Sequence, residues 1–175
     1  DNMPLANVAS LLPYHNYVTG ERTVETINTM IDYVQDGNRL FYDIYSDEDK
    51  RADARKNNTG LFFFRGEPGK PFAIVCPGGG FSYVGAIHEG FPLAIALSKM
   101  GYNAFSIQYR TGSAQVACED LAQAIDFIMR HAEELQVSTD DYSLWGGSAG
   151  ARMAAYLGSY STQGFIEATH ERPAT

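Results

Sequence analysis

Gly146-Gly147-Ser148-Ala149-Gly150 carries the side chain best suited to covalent chemistry in this chain of 175 residues. A serine hydroxyl is a weak nucleophile unless it is held exposed and beside a base. The G-x-S-x-G spacing presents it on a sharp strand-to-helix turn, where glycines remove the Cβ atoms that would clash. The helix that follows offers unpaired N–H groups to negative charge developing on an oxygen. A second motif, Pro77-Gly78-Gly79-Gly80-Phe81, directly follows the strand-like run PFAIVC. Consecutive glycines are costly in conformational entropy, and a backbone that must turn its N–H groups toward a substrate oxygen requires them. A phosphate cradle is the competing use, but the chain has no G-x-x-x-x-G-K-[ST], and neither glycine cluster fits G-x-G-x-x-G. The chemistry these residues suit is attack on a carbonyl carbon.

The elements that must position them follow from apolar spacing. Val24, Ile27, Ile31 and Val34 predict an amphipathic helix over 23–34, and the aromatic-rich run 39–45 predicts a strand. Residues 46–60 mix charges of both signs and read as a solvated connector. Strands are expected at 61–65, 71–76, 104–109 and 142–145, and helices at 92–100 and 149–160. Between them, Ala117, Leu121, Ile125, Ile128, Ala132 and Leu135 form one stripe along a long helix over 116–135. Strands alternating with helices imply a mostly parallel sheet with right-handed crossovers, hence an α/β fold. Trp145, Met153 and Leu157 are expected in the core, with Cys76 a small core hydrophobe beside the glycine loop. Glu119 and Asp120 are read as acids opening the long helix, where they suit its dipole.

The order strand, Gly-Gly-Gly loop, helix, strand, long helix, strand, G-x-S-x-G, helix resembles the esterase/lipase branch of the α/β-hydrolase superfamily. The segments PFAIVCPGGGF, GYNAFSIQYR, DLAQAIDFIMRHAEEL and YSLWGGSAGARMAA are similar to acetyl-xylan and feruloyl esterase-like enzymes, and to the HGGG carboxylesterases. Pro77 stands where the HGGG group has histidine, a form that occurs in the related branch. The resemblance covers about residues 36–165 and implies a three-layer α/β/α domain over 36–175, preceded by an N-terminal extension over 1–35. It implies Ser148 as nucleophile and the N–H groups of Ala149 and of Gly78 or Gly79 as the oxyanion hole. Phe81 and Tyr83 are the candidates to wall the acyl pocket. The helix at 23–34 is expected to dock on the domain surface, with a cap over the site as the alternative.

The resemblance also implies an acid and a histidine after the serine, in that chain order. Only 27 residues follow Ser148, and each further strand–helix unit takes roughly 30. His170 is the sole histidine downstream, near Glu167 and Glu171, and reads as a loop residue; His88 and His131 precede the serine. The expectation is therefore the N-terminal part of a hydrolase domain, its C-terminal strands supplied by a second fragment or lying in a missing segment. The run 142–145 would then form an exposed apolar edge. The first residue is Asp1, so removal of a Met, a tag or a signal peptide is expected.

Thirteen basic against 21 acidic side chains, a net charge of −8, argue against a nucleic-acid partner. No apolar run approaches the roughly 18 residues of a membrane span. Cys76 and Cys118 fit no zinc spacing, and serine acyl transfer needs no metal or organic cofactor. The expected reaction is hydrolysis of a carboxylic ester through an acyl-enzyme, with the resemblance suggesting short acyl groups such as acetyl on carbohydrates. The alternatives are a serine peptidase of the same superfamily and a non-catalytic binding module on the same fold.

Overall fold

Along three runs of the chain, two apolar sets alternate, the pattern of strands buried on both faces. Leu61, Phe63, Phe72, Ile74, Cys76, Phe105 and Ile107 point into one cluster, and Phe64, Ala73, Val75 and Ala104 into another. The structure, a computed structural model, describes residues 4–11 and 18–160. Its strands are β1 (Phe41–Asp43), β2 (Gly60–Phe64), β3 (Pro71–Cys76), β4 (Asn103–Gln108) and β5 (Ser138–Gly146). They form one sheet in the order β1-β2-β4-β3-β5. The β1/β2 and β2/β4 pairs are antiparallel, whereas β4, β3 and β5 run parallel. The site motifs hang from the parallel part.

Helices cover both faces, giving the three layers expected. On one side α4 (Ala114–Arg130) and α6 (Ala149–Tyr160) bury Ala117, Leu121, Ile125, Ile128, Met153 and Leu157. On the other, α1 (Gly20–Gln35) and α3 (Phe91–Lys99) bury Met30, Ala94, Ile95 and Leu97. Thr19 caps α1, its side chain accepting the Arg22 N–H at 3.2 Å. Helix α1 thus packs on the α3 face.

The chain leaves β3 for α3 on one face and leaves β5 for α6 on the opposite face. Neighbouring parallel strands whose connections part in this way leave a crevice at their C-terminal ends. Both glycine motifs sit there.

Four expectations change. Residues 46–60 contain α2 (Asp47–Ala52) and a 3-10 turn (Ala54–Asn58) where a connector was expected. Ser46 and Asp49 form a reciprocal capping box, with acids in the first turn and Lys50 and Arg51 in the last, so the mixed charges are ordered along the helix dipole. The long helix begins at Ala114, capped by Ser113, and breaks at His131 before the short α5 (Ala132–Leu135). Trp145 is 42% exposed, whereas Met153 and Leu157 are buried as expected. Trp145 pairs with Val75 and shares its face, and β5 lies at the edge of the sheet among the described residues.

The fourth change concerns Glu119 and Asp120, which lie inside α4 and are buried. Asp120 accepts the Tyr45 hydroxyl at 2.6 Å, the Arg110 backbone N–H at 2.6 Å and Arg110 Nη2 at 2.7 Å. Arg110 also reaches Asp53 at 2.9 Å. Burial, followed by the Asp120 charge, pushes the Tyr45 hydroxyl pKa far upward, so Tyr45 remains a donor. The hydrogen bonds of Arg55, partly opposed by burial, hold the Asp53 carboxyl well below the usual carboxylate range. This network ties the end of β4 to α4 and to the α2 segment. Removing one partner of a buried ion pair leaves the other charge uncompensated, so Asp120→Ala should cost about 3–5 kcal/mol, measured by urea denaturation.

Candidate active site

Register brings the two motifs together. In the parallel β3/β5 pair, Cys76 stands opposite Gly146, so Pro77-Gly78 and Gly147-Ser148 leave the sheet side by side. A Cβ on Gly78 would lie 3.1 Å from Ser148 Cβ and 3.1 Å from the Gly147 carbonyl oxygen. A Cβ on Gly150 would overlap the Cys76 carbonyl, and one on Gly146 would overlap the backbone of Gly150. Glycine at these positions lets α6 start directly against the end of β3.

Ser148 has φ +51°, the left-handed region that side chains other than glycine enter at a cost of order 1–3 kcal/mol. The Gly147 carbonyl holds the turn, accepting the N–H groups of Gly150 at 2.8 Å and Ala151 at 3.2 Å. Ser148 is exposed, and Ala149 is buried as the first residue of α6. The serine thus stands out from the turn.

The glycine loop is held almost entirely through its carbonyls. Tyr109 Oη donates to the Pro77 carbonyl at 2.7 Å, and Gly85 N–H donates to the Gly78 carbonyl at 2.9 Å. The Gly79 carbonyl accepts the N–H groups of Ser82 at 3.0 Å and Tyr83 at 3.3 Å. Gly79 and Gly80 have φ of +137° and +63°, which accounts for glycine at both. Among the described residues, no hydrogen bond engages the N–H of Gly79 or of Ala149. The N–H of Gly78, by contrast, donates to Glu89 Oε2 at 2.7 Å. Of the two glycines the sequence left open, Gly78 is therefore occupied. Sequence reasoning missed Glu89, since one acid in the run HEGFP carries no signal that it folds back onto the loop.

The flanking aromatics part company. Tyr83 is 42% exposed and lines an apolar cleft of about 690 Å³ with Phe41, Phe62, Val84, Ile87 and Phe91. Phe81 lies elsewhere, its ring 6.4 Å from that of Tyr109 and beneath the Arg152 guanidinium at 5.7 Å. His88 also borders the cleft, from a π-helical turn at Ala86–Gly90. His131 is the C-cap of α4, its Nδ1 2.8 Å from the Phe127 carbonyl oxygen. His170, Glu167 and Glu171 lie outside the described residues.

Cys76 is fully buried, and burial drives its thiol pKa far upward; burial also raises Cys118, to about 11. Neither is a thiolate near neutral pH, whereas the Ser148 hydroxyl is on an exposed residue of the crevice. Among the described residues no three His, Cys, Asp or Glu side chains cluster as metal ligands, and no helix is long and apolar enough to cross a membrane.

The packing of α6 makes a paired stability test. Gly150→Ala forces a Cβ into the Cys76 carbonyl and should cost about 2–3 kcal/mol in chemical denaturation. Gly158→Ala, on the same helix with no described residue within 4 Å of the new Cβ, should stabilise by about 0.5–1 kcal/mol.

Known proteins resemble parts of this chain. An acetylxylan esterase of Xylanibacter ruminicola is 28% identical over 87 residues, which are 49% of this chain and 18% of that protein. The acetyl ester-xyloside bifunctional hydrolase of Caldicellulosiruptor lactoaceticus superposes with a TM-score of 0.61 at 22% identity, over 69% of this chain and 46% of that one. Esterase 2 of Thermogutta terrifontis gives a TM-score of 0.52 at 27% identity, over 57% of this chain and 40% of its own. The chain thus spans less than half the length of each of these relatives. The sheet with its crossovers has the α/β-hydrolase fold, and residues 65–173 match one family across most of the chain. The chain belongs to the BD-FAE family.

Proposed function

We propose that this chain carries the nucleophile and oxyanion hole of a serine hydrolase that cleaves carboxylic esters. The observation that carries the reading is Ser148, left-handed and exposed on its turn, with its Cβ against the glycine loop. Ser148 Oγ attacks the ester carbonyl carbon and passes its proton to a histidine from outside the described residues. The carbonyl π electrons move onto oxygen, and the N–H groups of Gly79 and Ala149 donate to that oxyanion. Among the described residues, no protein acceptor engages either N–H. Collapse of the tetrahedral intermediate breaks the bond to the alcohol oxygen, which takes the proton from the histidine. Water then attacks the acyl-serine by the same route and frees the carboxylate.

The acetylxylan esterase relative supports short acyl groups, acetyl esters of carbohydrates in particular, as the substrate class. Tyr83 is retained as a substrate-contacting residue because it links the glycine loop to the apolar cleft. Phe81, whose ring lies against Tyr109 and Arg152, is not proposed as a wall of that cleft.

The test is turnover of p-nitrophenyl acetate and acetylated xylo-oligosaccharides by the intact protein. Ser148→Ala should lower kcat by about 10⁴-fold or more, the scale seen when a serine nucleophile is removed. Hydrolysis of amides in preference to esters would favour a peptidase. Ester turnover that survives Ser148→Ala would remove the serine from the mechanism.

A further inference from the structure

We infer that Glu89 is the positioning residue of the oxyanion loop, an inference that rests on the serine-hydrolase reading. Its carboxylate accepts the Gly78 N–H at 2.7 Å, and charge-assisted bonds of that length are among the stronger hydrogen bonds in proteins. The same turn holds the other side of Gly78, because Gly85 N–H donates to the Gly78 carbonyl at 2.9 Å. Glu89 N–H in turn donates to the Gly85 carbonyl at 2.9 Å. Gly78 is thus gripped at both its N–H and its carbonyl by the segment 85–89.

The grip requires that particular turn. Ala86–Gly90 is π-helical, with the Phe91 N–H reaching back to the Ala86 carbonyl. A π turn inserts an extra residue, and such turns recur where a side chain must be re-aimed. Here it brings the acid back onto the loop that precedes it. The carboxylate also lies beside the serine turn, since a Cβ on Gly147 would come 3.6 Å from Glu89 Oε2. One side chain therefore bonds to the glycine loop and lies beside the serine turn.

The consequence is a division of labour among adjacent peptide groups. The Glu89 carboxylate fixes the Pro77–Gly78 peptide through the Gly78 N–H, and the Gly85 N–H on the Gly78 carbonyl restrains the Gly78–Gly79 peptide, so the Gly79 N–H keeps its aim toward the carbonyl oxygen of a bound ester. A negative charge near a forming oxyanion is unfavourable in itself, so the useful property of Glu89 is acceptance of the hydrogen bond. An amide oxygen would accept it too. A shorter carboxylate would not reach.

Kinetics of Glu89→Ala, Glu89→Gln and Glu89→Asp in the intact protein separate these roles. Glu89→Ala and Glu89→Asp should lose about 10–100-fold in kcat with KM within about twofold, as for a misaimed catalytic group. Glu89→Gln should retain at least about a third of the wild-type kcat, since its amide oxygen replaces the acceptor. Should Glu89→Ala fail to fold, the Asp and Gln pair decides. Wild-type kcat in Glu89→Ala, a loss confined to KM, or equal loss in Glu89→Gln and Glu89→Ala would overturn the assignment. The Gly78 amide supplies a readout independent of activity. Its hydrogen exchange should be slow in wild type and Glu89→Gln and at least about tenfold faster in Glu89→Ala. Absence of ester turnover in the wild type would defeat the serine-hydrolase reading instead. The exchange rates would then still judge the grip on Gly78, and equal rates in all variants would overturn it.

Discussion

The approach of Gly150 to the Cys76 carbonyl is the constraint on which the site depends. It exists because β3 and β5 pair in parallel with Cys76 opposite Gly146, so the loops that follow begin at the same height. Helix α6 must then start against the end of β3, and only residues without a Cβ fit between them. From that contact follow the sharp turn at Gly146-Gly147, the left-handed backbone of Ser148 and the adjacency of Ser148 to Gly78. A shift of the register would separate the serine from the glycine loop. The large core on both faces of the sheet is what prevents such a shift, because Phe72, Ile74 and Cys76 would exchange faces with Ala73 and Val75.

Around this fixed contact the loop is ordered by its acceptors. Tyr109, Gly85, Ser82 and Tyr83 satisfy the carbonyls of Pro77, Gly78 and Gly79, and Glu89 accepts the N–H of Gly78. Preorganisation of this kind matters because a donor already in place costs no reorganisation when charge develops. The strain at Ser148 belongs to the same economy. A residue in the left-handed region persists only where surrounding structure over-determines it, and here the Gly147 carbonyl and the packed start of α6 do so. Farther out, Asp120 and Arg110 lock the end of β4 to α4, which keeps Tyr109 where it can reach Pro77.

Local patterns in the sequence carried much of this. Apolar and aromatic runs bounded by turn signals located the strands, the stripe from Ala117 to Ile128 located α4, and Gly and Ser at fixed offsets marked both turns. What stayed hidden depends on long-range neighbours. Trp145 looks like a core residue by type, yet its exposure is decided by which strand covers β5 on each side. Asp120 looks like a helix-dipole acid until Arg110 and Tyr45 arrive from ten and 75 residues away. The acceptor that occupies the Gly78 N–H comes from a side chain eleven residues downstream, on a π turn that no local periodicity signals. The charged run 46–60 differs for the opposite reason: its mixed charges suit a connector, but Ser46-x-x-Asp49 is a capping box with a local sequence signature.

The most direct test of Ser148 as an activated nucleophile is mass-spectrometric mapping of the intact protein after exposure to a fluorophosphonate. Such probes phosphonylate a serine only when a base and an oxyanion hole act on it together. The account predicts one adduct per chain, on the peptide containing Ser148 and absent from Ser148→Ala. An unlabelled Ser148 in folded, intact protein, or an adduct on another residue, would contradict it.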